Sequence, residues 1–335
     1  MKQVVVKVPG KVMLAGEYDV LEGGCALASS IDRYLTATLT QSDSIEGCEV
    51  HSNLWPQAQT IPAAGESHYT DPLLEAASFG MQKYQSNGLK IVIDSDLDVE
   101  FGVGSSSALR LAVLTGMAVL ADSENLYSWE RAEFALELQK KAQSAASGYD
   151  IATQLCGGVI AFTPNADFAG SVRAIENTDF DAINEFFHIF IGGAGAPTGS
   201  VMATTRDWLN KNDRHAALKI VSKTLNDSML DWFATHNNDL QLIAAIKNHR
   251  QFFEASPHFP KRILESLSLL EGFDKSFTFK TTGAGGEDAL LIIGHENDMI
   301  EATTSLQNIG WKKLNSQFCV TGLEVCLDGE ELDDT

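Results

Sequence analysis

The hydrophobic and polar positions along the chain predict short strands and longer helices in an irregular order. Strands are predicted, from β-branched or apolar runs, at 4–8, 34–40, 89–93, 159–162, 187–191, 276–280, 290–293 and 317–327. Helices are predicted, from apolar residues at helical spacing, at 72–84, 108–120, 129–143 and 298–309, and over 201–270 with breaks near Asn212, Asn237 and Pro257. Because no regular series of strand-helix units is present, the pattern favours a two-domain α+β fold over a doubly wound sheet.

Length and composition support a soluble protein with two packed domains. The chain has 335 residues, of which 44% are hydrophobic, enough for a sizeable core. A polar stretch around 164–185 marks the expected boundary, which gives one domain over 1–170 and another over 171–335.

The charge and the cysteines limit the possible partners. A formal charge of −21 argues against binding to nucleic acid or to an anionic membrane, which needs clustered Lys and Arg. The five cysteines are scattered, without a C-x-x-C pair, so neither a disulfide framework nor a zinc site is indicated. The N-terminal apolar run is too short for a signal or a membrane span. We expect a cytoplasmic protein, as a monomer or a homodimer, with a small-molecule substrate.

A glycine-serine loop before an apolar helix has three possible roles. The stretch "FGVGSSSALRLAV" starts at Phe101, and its glycines allow close backbone approach while the helix start presents free N–H groups. It is neither a Walker A loop nor a complete G-x-G-x-x-G fingerprint. From this stretch alone, a phosphate site, a simple serine cap and a nucleophile elbow centred on Ser106 all remain open.

Three further loops combine glycine with polar or charged side chains. "VPGKVMLAGEYDVLEGG" places Lys11 in a predicted glycine turn after a strand, and a lysine there could bind an anion or be simply solvated. "SGYDIA" contains Ser147 and Asp150, for which a helix cap is the ordinary explanation. "KTTGAGGEDALLIIG" sets glycines between two strands, as a hairpin turn would.

Taken in order, the four loops resemble the motifs of the GHMP kinase superfamily over nearly the whole chain. The resemblance implies an N-terminal domain of the ribosomal protein S5 domain 2 type, a ferredoxin-like C-terminal domain and a site between them. Glu17 followed by Tyr18 is more similar to phosphomevalonate kinases than to mevalonate kinases, which tend to have His at the second position. The turn "IGGAGAPTGS" is also similar to a turn on the substrate side of phosphomevalonate kinases.

The resemblance implies a role for each loop. Gly102, Gly104, Ser105, Ser106 and Ser107 would bind the phosphates of ATP, with Ser106 as a Mg²⁺ ligand. Lys11 would neutralise the transferred phosphoryl group, and Asp150 would face the attacking oxygen. The implied substrate-binding residues are Glu17, Tyr18, Ser147, Gly283, Ala284, Gly285 and Gly286. Phosphoryl transfer depends on positioning and charge neutralisation, which these residue types supply.

The acceptor decides what Asp150 does and how many cations the site needs. For an alcohol, Asp150 could act as a general base or orient the hydroxyl. A phosphate monoester is already anionic, so further cations become necessary, and Lys280, Arg110 and Arg33 are the candidates, each with ordinary surface solvation as the alternative.

Two positions depart from the resembled motifs. Glu287 stands where phosphomevalonate kinases usually have a small residue, and a carboxylate there must turn away from an anionic substrate. Gln139 stands where mevalonate kinases have a magnesium-binding Glu, eleven residues before the catalytic Asp; Glu137 lies nearby, without an assigned role.

The expected function is therefore that of an ATP- and Mg²⁺-dependent kinase acting on phosphomevalonate. Mevalonate, or the acceptor of another GHMP kinase, is the alternative substrate. A hydrolase with Ser106 as nucleophile, which would leave Lys11 without a role, is a more distant hypothesis. A non-catalytic nucleotide-binding relative is another.

Overall fold

The strands of the chain form two separate sheets. The computed structural model describes residues 2–63, 69–98, 101–121, 128–143, 145–192, 198–211 and 214–332. The strands in this part of the chain are β1 (Gln3–Ala15), β2 (Ala26–Gln41), β3 (Cys48–Ser52), β4 (Gln59–Ile61), β5 (Leu89–Ser95), β6 (Val159–Phe162), β7 (Val172–Ala174), β8 (Phe187–Ile191), β9 (Phe277–Thr281), β10 (Ala289–Gly294), β11 (Lys312–Lys313), β12 (Glu324–Leu327) and β13 (Glu330–Glu331).

Helices cover much of both sheets. Those of the described residues are α1 (Pro72–Lys83), α2 (Ser105–Leu120), α3 (Ser128–Ala142), α4 (Tyr149–Cys156), α5 (Phe180–Phe186), α6 (Thr198–Asn210), α7 (His215–Thr235), α8 (Asp239–Phe253), α9 (Lys261–Leu267) and α10 (Ile300–Asn308). None of these helices is long and apolar enough to cross a membrane. The mixed architecture confirms the predicted α+β class.

The larger sheet is built around the long pair β1 and β2. Its strand order is β13-β12-β1-β2-β5-β3-β4, and β6 joins β2 to β7. Pairing is antiparallel except between β3 and β5. Val4, Val6 and Val8 are fully buried at alternate positions of β1, as expected for a strand with one face on the core. Helix α2 packs on β1 and β2, so its first turn lies beside these strands.

Strand β1 is longer than its sequence predicts. Pro9 and Gly10 suggest an end to the strand, but β1 continues to Ala15. The pairing with β2 shifts register between Pro9 and Gly10, and such an irregularity can accept a proline, which has no N–H to donate. Lys11 therefore lies on a strand, opposite Ser30, and the prediction of a glycine turn there is wrong.

The smaller sheet has the strand order of a ferredoxin-like domain. Its four antiparallel strands run β11-β8-β10-β9, so in chain order they lie fourth, first, third, second. Helices α6 to α9 connect β8 to β9, and α10 connects β10 to β11, which completes the βαββαβ arrangement. Helix α8 packs against β9.

Most other predicted elements are confirmed, and the strands at 159–162 and 187–191 have the predicted bounds. The strand expected over 317–327 starts only at Glu324, because residues before it contact residues 30–32, inside β2, through isolated bonds, such as Asp32 N–H to the Gln317 carbonyl at 2.9 Å. Strands β7, β12 and β13 lie in the larger sheet. The division into 1–170 and 171–335 stays a prediction.

A buried guanidinium joins α8 to the smaller sheet. Arg250 is 2% exposed, and its two terminal nitrogens donate to the Asp274 carboxylate at 2.9 and 3.0 Å. It also donates to Thr278 Oγ1 on β9 at 2.8 Å. Burial alone would raise the pKa of Asp274, but the hydrogen bonds and charge of Arg250 lower this pKa below its usual value.

We expect Arg250→Met to lower the free energy of unfolding by about 3 kcal/mol at pH 7, because the Asp274 carboxylate loses its buried partner and keeps the partly exposed Lys247, at 3.1 Å. The stabilisation by Asp274 is present above its unfolded-state pKa and is lost as the pH falls through the lowered folded-state pKa. The difference from the wild type, measured by urea unfolding, should therefore shrink towards about pH 3.

Arg262→Met is the matched control for this change. Arg262 binds Glu287 at 2.7 Å, but both side chains are substantially exposed, so the loss should be at most about 1 kcal/mol. Equal losses for the two variants would contradict the assigned importance of the buried pair.

Candidate active site

A cleft of about 210 Å³ brings together most of the residues that the sequence singles out. It is lined by residues of β1, by the first turns of α2 and α4, and by the loop between β9 and β10. The predicted site residues along it are Lys11, Tyr18, Gly102, Gly104, Ser105, Ser106, Ser107, Ser147, Asp150, Gly283 and Ala284. Glu17, Gly285 and Gly286 instead line a small adjoining cavity, which also borders Tyr18.

The first turn of α2 is built to receive an anion. Gly104 precedes the helix with φ +93°, a left-handed conformation that favours glycine. The amides of the first helical turn lack carbonyl partners within the helix and lie at its positive end. Ser107 Oγ donates to the Gly104 carbonyl at 3.0 Å, whereas Ser105 Oγ is buried and has no hydrogen-bond partner among the described residues. A phosphate oxygen would satisfy that hydroxyl.

Ser106 lies in the cleft beside a buried cation. Its Oγ accepts a hydrogen bond from Arg110 Nη1 at 2.5 Å, and Arg110 is itself held by Glu75 at 2.7 Å. Ser106 therefore has no free base next to it, since the neighbouring guanidinium can only donate. The role of Ser106 as a Mg²⁺ ligand stays a prediction.

Lys11 is fixed against the glycine-serine loop. Its Nζ donates to the Gly102 carbonyl at 2.9 Å and to Tyr149 Oη at 3.3 Å, while its backbone N–H donates to the Val103 carbonyl at 2.8 Å. The side chain is only 6% exposed. A positive charge held this rigidly can neutralise a bound anion without reorganising.

Asp150 enters the cleft from the first turn of α4. Gly148, with φ +93°, directly precedes that helix, and Gln139 Nε2 on α3 donates to Asp150 Oδ2 at 2.7 Å. The preceding residue, Tyr149, is the hydrogen-bond partner of Lys11, and burial raises the pKa of its hydroxyl. The predicted pair of Lys11 and Asp150 thus borders one cleft, with Tyr149 beside it.

Glu17 faces the protein interior. It forms a buried ion pair with Lys280 of β9, and His249 Nε2 lies 3.5 Å from its second oxygen. Burial raises the pKa of Glu17 and lowers that of Lys280, against their mutual attraction. Burial and the charge of Lys280 hold the pKa of His249 well below its usual value, so His249 stays neutral.

Tyr18 connects the loop after β1 to the glycine loop between β9 and β10. Its hydroxyl donates to the Ala284 carbonyl at 2.5 Å, and burial raises the pKa of Tyr18 to about 12. Tyr18 has φ +62°, a rare conformation for a bulky residue that is often found at functional sites. Thr282 Oγ1 donates to the Met13 carbonyl at 2.8 Å, so the glycine loop is attached at two points.

Two acidic residues follow the glycine loop and differ in their surroundings. Glu287 pairs with Arg262 at the surface and does not line the cleft, which meets the expectation that its carboxylate turns away. Asp288 lines the cleft, where burial raises its pKa and Lys11 opposes this effect.

The three cations expected to receive an anionic acceptor have other partners. Lys280 is bound to Glu17, and Arg110 is bound to Glu75. Arg33 donates to the Asn315 carbonyl at 3.0 Å. Among the described residues that line the cleft, Lys11 is the one lysine or arginine. The turn at 193–197, within "IGGAGAPTGS", lies outside the described residues.

Tyr149, Asp288 and Gln139 are polar residues of the cleft that were not assigned a site role from the sequence. Tyr149 lies in "SGYDIA" beside Asp150, and Asp288 lies in "KTTGAGGEDALLIIG" after the glycines. Their positions within these motifs could have indicated that they line the site. Gln139 was noted only as a departure, and nothing local in the sequence shows its bond to Asp150. That contact joins two helices and depends on their packing.

The site suits a nucleotide better than a metal held by the protein alone. Unpaired amides, the orphan hydroxyl of Ser105 and the fixed ammonium of Lys11 fit phosphate oxygens. Nowhere in the described part of the chain do three or more His, Cys, Asp or Glu side chains cluster to bind a metal. Mg²⁺ in kinases is commonly shared between substrate phosphates and one or two carboxylates, and Asp150 fits that smaller requirement.

We expect Gly104→Ala to weaken the binding of ADP by about 10-fold or more, since an added Cβ would lie 2.8 Å from Gln154 Nε2 and 3.0 Å from Lys11 Cγ. Gly329→Ala controls for backbone strain, because Gly329 has φ +90° but no atom within 4 Å of an added Cβ. Calorimetric titration with ADP measures both. An unchanged affinity in Gly104→Ala would argue against phosphate binding at this loop.

Part of the chain matches a known family, and longer segments match named enzymes. Residues 72–158 match the model of the GHMP kinases N terminal domain. A mevalonate kinase of Aeropyrum pernix is 29% identical over 46% of this chain and 48% of its own length. A mevalonate kinase of Methanothermobacter thermautotrophicus is 24% identical over 94% of the chain and 97% of its length. A phosphomevalonate kinase of Streptomyces sp. strain CL190 is 26% identical over 48% of the chain and 50% of its length.

Solved structures share the whole architecture at low identity. The mevalonate kinase of Methanococcus jannaschii has a TM-score of 0.72 and 18% identity, covering 94% of this chain and 98% of that one. A phosphomevalonate kinase of Streptococcus pneumoniae, solved with phosphomevalonate and AMPPNP, has a TM-score of 0.70 and 16% identity, covering 94% and 99%. These likenesses confirm the predicted GHMP kinase fold. Residues 72–158 therefore match a GHMP kinase N-terminal domain, and the chain has the GHMP kinase fold.

Proposed function

We propose that the protein is an ATP-dependent kinase that transfers the γ-phosphoryl group of ATP to phosphomevalonate, giving diphosphomevalonate. The main observation that supports phosphotransferase activity is that Lys11, Asp150 and the first turn of α2 line one cleft. Phosphoryl transfer requires groups that position the reactants and neutralise charge, and a fixed cation, helix amides and a carboxylate can do both. ATP would supply the phosphoryl group, and Mg²⁺, which Asp150 could help to hold, would supply further charge neutralisation.

Each cleft residue has a separate task in this reaction. The α2 amides and Ser105 Oγ bind phosphate oxygens, and Lys11 neutralises the charge that moves between donor and acceptor. Asp150, held at a fixed angle by Gln139, orients the acceptor and, for an alcohol, takes its proton. Tyr18 and the glycine loop at 283–286 close the substrate side and limit the access of water.

Phosphomevalonate is the preferred acceptor because of Tyr18 and the glycine loop. The Glu17–Tyr18 pair and "TTGAGGED" are similar to phosphomevalonate kinase motifs, and Glu287, the main departure, is directed to Arg262. The Streptococcus pneumoniae enzyme, whose structure contains phosphomevalonate, has the same fold over 94% of this chain. These points support the proposal through similarity of site and fold.

Mevalonate is the second candidate, favoured by the charge of the cleft. Lys11 alone among the described cleft residues is a lysine or arginine, and a neutral hydroxyl demands less neutralisation than a phosphate. The relative that aligns with almost its full length is a mevalonate kinase. A serine hydrolase is disfavoured because Ser106 accepts from Arg110 and no histidine is among the described residues of the cleft.

Acceptor choice is tested by ADP release with phosphomevalonate, mevalonate and other GHMP kinase acceptors at equal concentrations. We expect kcat/KM to be highest for phosphomevalonate. A higher value for mevalonate would replace the preferred acceptor by the second candidate. ATP binding without turnover of any acceptor would support the non-catalytic alternative.

We expect Lys11→Met to lower kcat by about 10²- to 10³-fold, because it removes fixed transition-state stabilisation. Asp150→Asn should lower kcat by about 10²-fold or more with an alcohol acceptor, and less with a phosphate acceptor, which has no proton to lose in the transfer. Single-turnover kinetics with each acceptor measures the effects.

Lys7→Met is the control for Lys11→Met. Lys7 lies on the same strand but pairs with Glu324 near the surface, so kcat should stay within about twofold of the wild type. If Lys11→Met behaved like Lys7→Met, Lys11 would have no place in the phosphoryl transfer.

A further inference from the structure

A second chamber, of about 380 Å³, opens beside the cleft. The two spaces share the wall formed by Val20, Leu21, Gln143 and the segment 145–147. The chamber contains none of the residues 102–107 that form the phosphate loop. It therefore extends the cleft away from the phosphate loop, past Ser147.

The described residues that line this chamber carry a positive charge, whereas the protein as a whole is strongly negative. They include Lys140 and Arg206 but no Asp or Glu, in a chain with 45 acidic residues and a net charge of −21. In the part of the chain that the structure describes, neither side chain is assigned a hydrogen bond or an ion pair. Lys280 and Arg110, by contrast, are bound to Glu17 and Glu75.

The elements that carry these two cations also reach the reaction centre. Lys140 follows Gln139, the residue that holds Asp150. Arg206 lies four residues after Met202, so the two side chains are neighbours on one face of α6. Met202 lines the cleft and Arg206 lines the chamber. An acceptor that lies against Asp150 thus has a positively charged space next to it.

We propose that the chamber is an anion subsite, in which Arg206 and Lys140 bind the end of the acceptor remote from the oxygen that receives the phosphoryl group. This inference rests on the proposed kinase function and extends it. The planar guanidinium of Arg206 can bind a carboxylate or a phosphate through two hydrogen bonds, and Lys140 adds a second charge. Phosphomevalonate and mevalonate both carry a carboxylate at that remote end.

The subsite also explains how an acidic protein accommodates an anionic acceptor. Lys11 serves the phosphoryl group in transfer, and the cations first expected for the acceptor are held elsewhere. Because no described residue of the chamber lining carries a carboxylate, the field of Arg206 and Lys140 is not cancelled by them, and a partly enclosed space screens it less than open solvent does. Specificity for acids over neutral acceptors follows from these two residues.

The test compares Arg206→Ala, Lys140→Ala, Arg206→Lys and the wild type. We expect Arg206→Ala to raise the KM for the acceptor by about 10-fold or more, as for a lost charge-assisted hydrogen bond, with KM for ATP unchanged. Lys140→Ala should have a smaller effect in the same direction. Arg206→Lys should recover part of the affinity, since it keeps the charge without the two-pronged geometry.

Two readouts separate this role from a merely structural one. The acceptor KM of the wild type should rise with NaCl, because salt screens the charges, and this dependence should weaken in Arg206→Ala. Calorimetric titration with phosphomevalonate and with mevalonate, without ATP, should show the same loss of affinity for both acids. A loss confined to phosphomevalonate would place its phosphate, rather than the carboxylate, at Arg206 and overturn the proposed orientation.

Lys211→Ala and Lys141→Ala are the charge-matched controls. Lys211 directly follows α6, and Lys141 follows Lys140 on α3 but pairs with Glu137 at the surface; neither lines the chamber. If Arg206→Ala and Lys140→Ala matched these controls while the wild type turned over its acceptor, the subsite would be refuted and the kinase function retained. Absence of turnover with every acceptor would overturn the function, and the subsite with it.

Discussion

A buried ion pair between Glu17 and Lys280 holds the two sheets in the arrangement that the cleft requires. Glu17 follows β1 of the larger sheet and Lys280 belongs to β9 of the smaller one, and both side chains are almost fully buried. Removing either charge would leave the other uncompensated in the interior, which is strongly unfavourable. The same contact fixes Tyr18, the next residue, close enough to bond Ala284 of the glycine loop. The side of the cleft formed by Tyr18 and Ala284 thus depends on the Glu17–Lys280 pair, which does not itself line the cleft.

That pair also determines which cations remain for ligands. The chain has only 24 lysines and arginines against 45 acids, so each cation bound inside the protein is lost to an anionic substrate. Lys280 and Arg110 stabilise the elements around the site, whereas Lys11, Lys140 and Arg206 border space that a ligand can enter. Local fields of this kind would decide the binding of the proposed anionic substrates, which the net charge of the protein repels.

The sequence predicts much of the fold, because most helices and strands depend on local signals. Helix α1 and strand β8 follow from apolar spacing. Glycines next to a helix start single out residues 102–107, but their assignment to phosphate binding comes from the family resemblance and stays a prediction. The continuation of β1 beyond Pro9 could not be predicted from local signals, because it depends on hydrogen bonds with β2. That pairing is a contact between distant residues.

The difference between local signals and contacts between distant residues also explains which residues of the site were not predicted. Arg206 lies in no motif, and the role proposed for it comes from the space that it borders together with Lys140. Glu17 was expected to bind substrate because of its motif, but its partner Lys280 lies 263 residues away. The partner of a charged residue depends on which side chains the fold places near it. The roles of charged residues are therefore the hardest to predict from sequence.

Gln139 shows how one such contact sets the chemistry of the cleft. A glutamate at this position, as the resemblance to mevalonate kinases implies, would place a second carboxylate within hydrogen-bond distance of Asp150. Two carboxylates so close cannot both stay ionised without a cation between them. The amide of Gln139 removes that conflict, because it donates a hydrogen bond and carries no charge. Asp150 is therefore oriented by a neutral donor, and its single negative charge remains available to a ligand in the cleft.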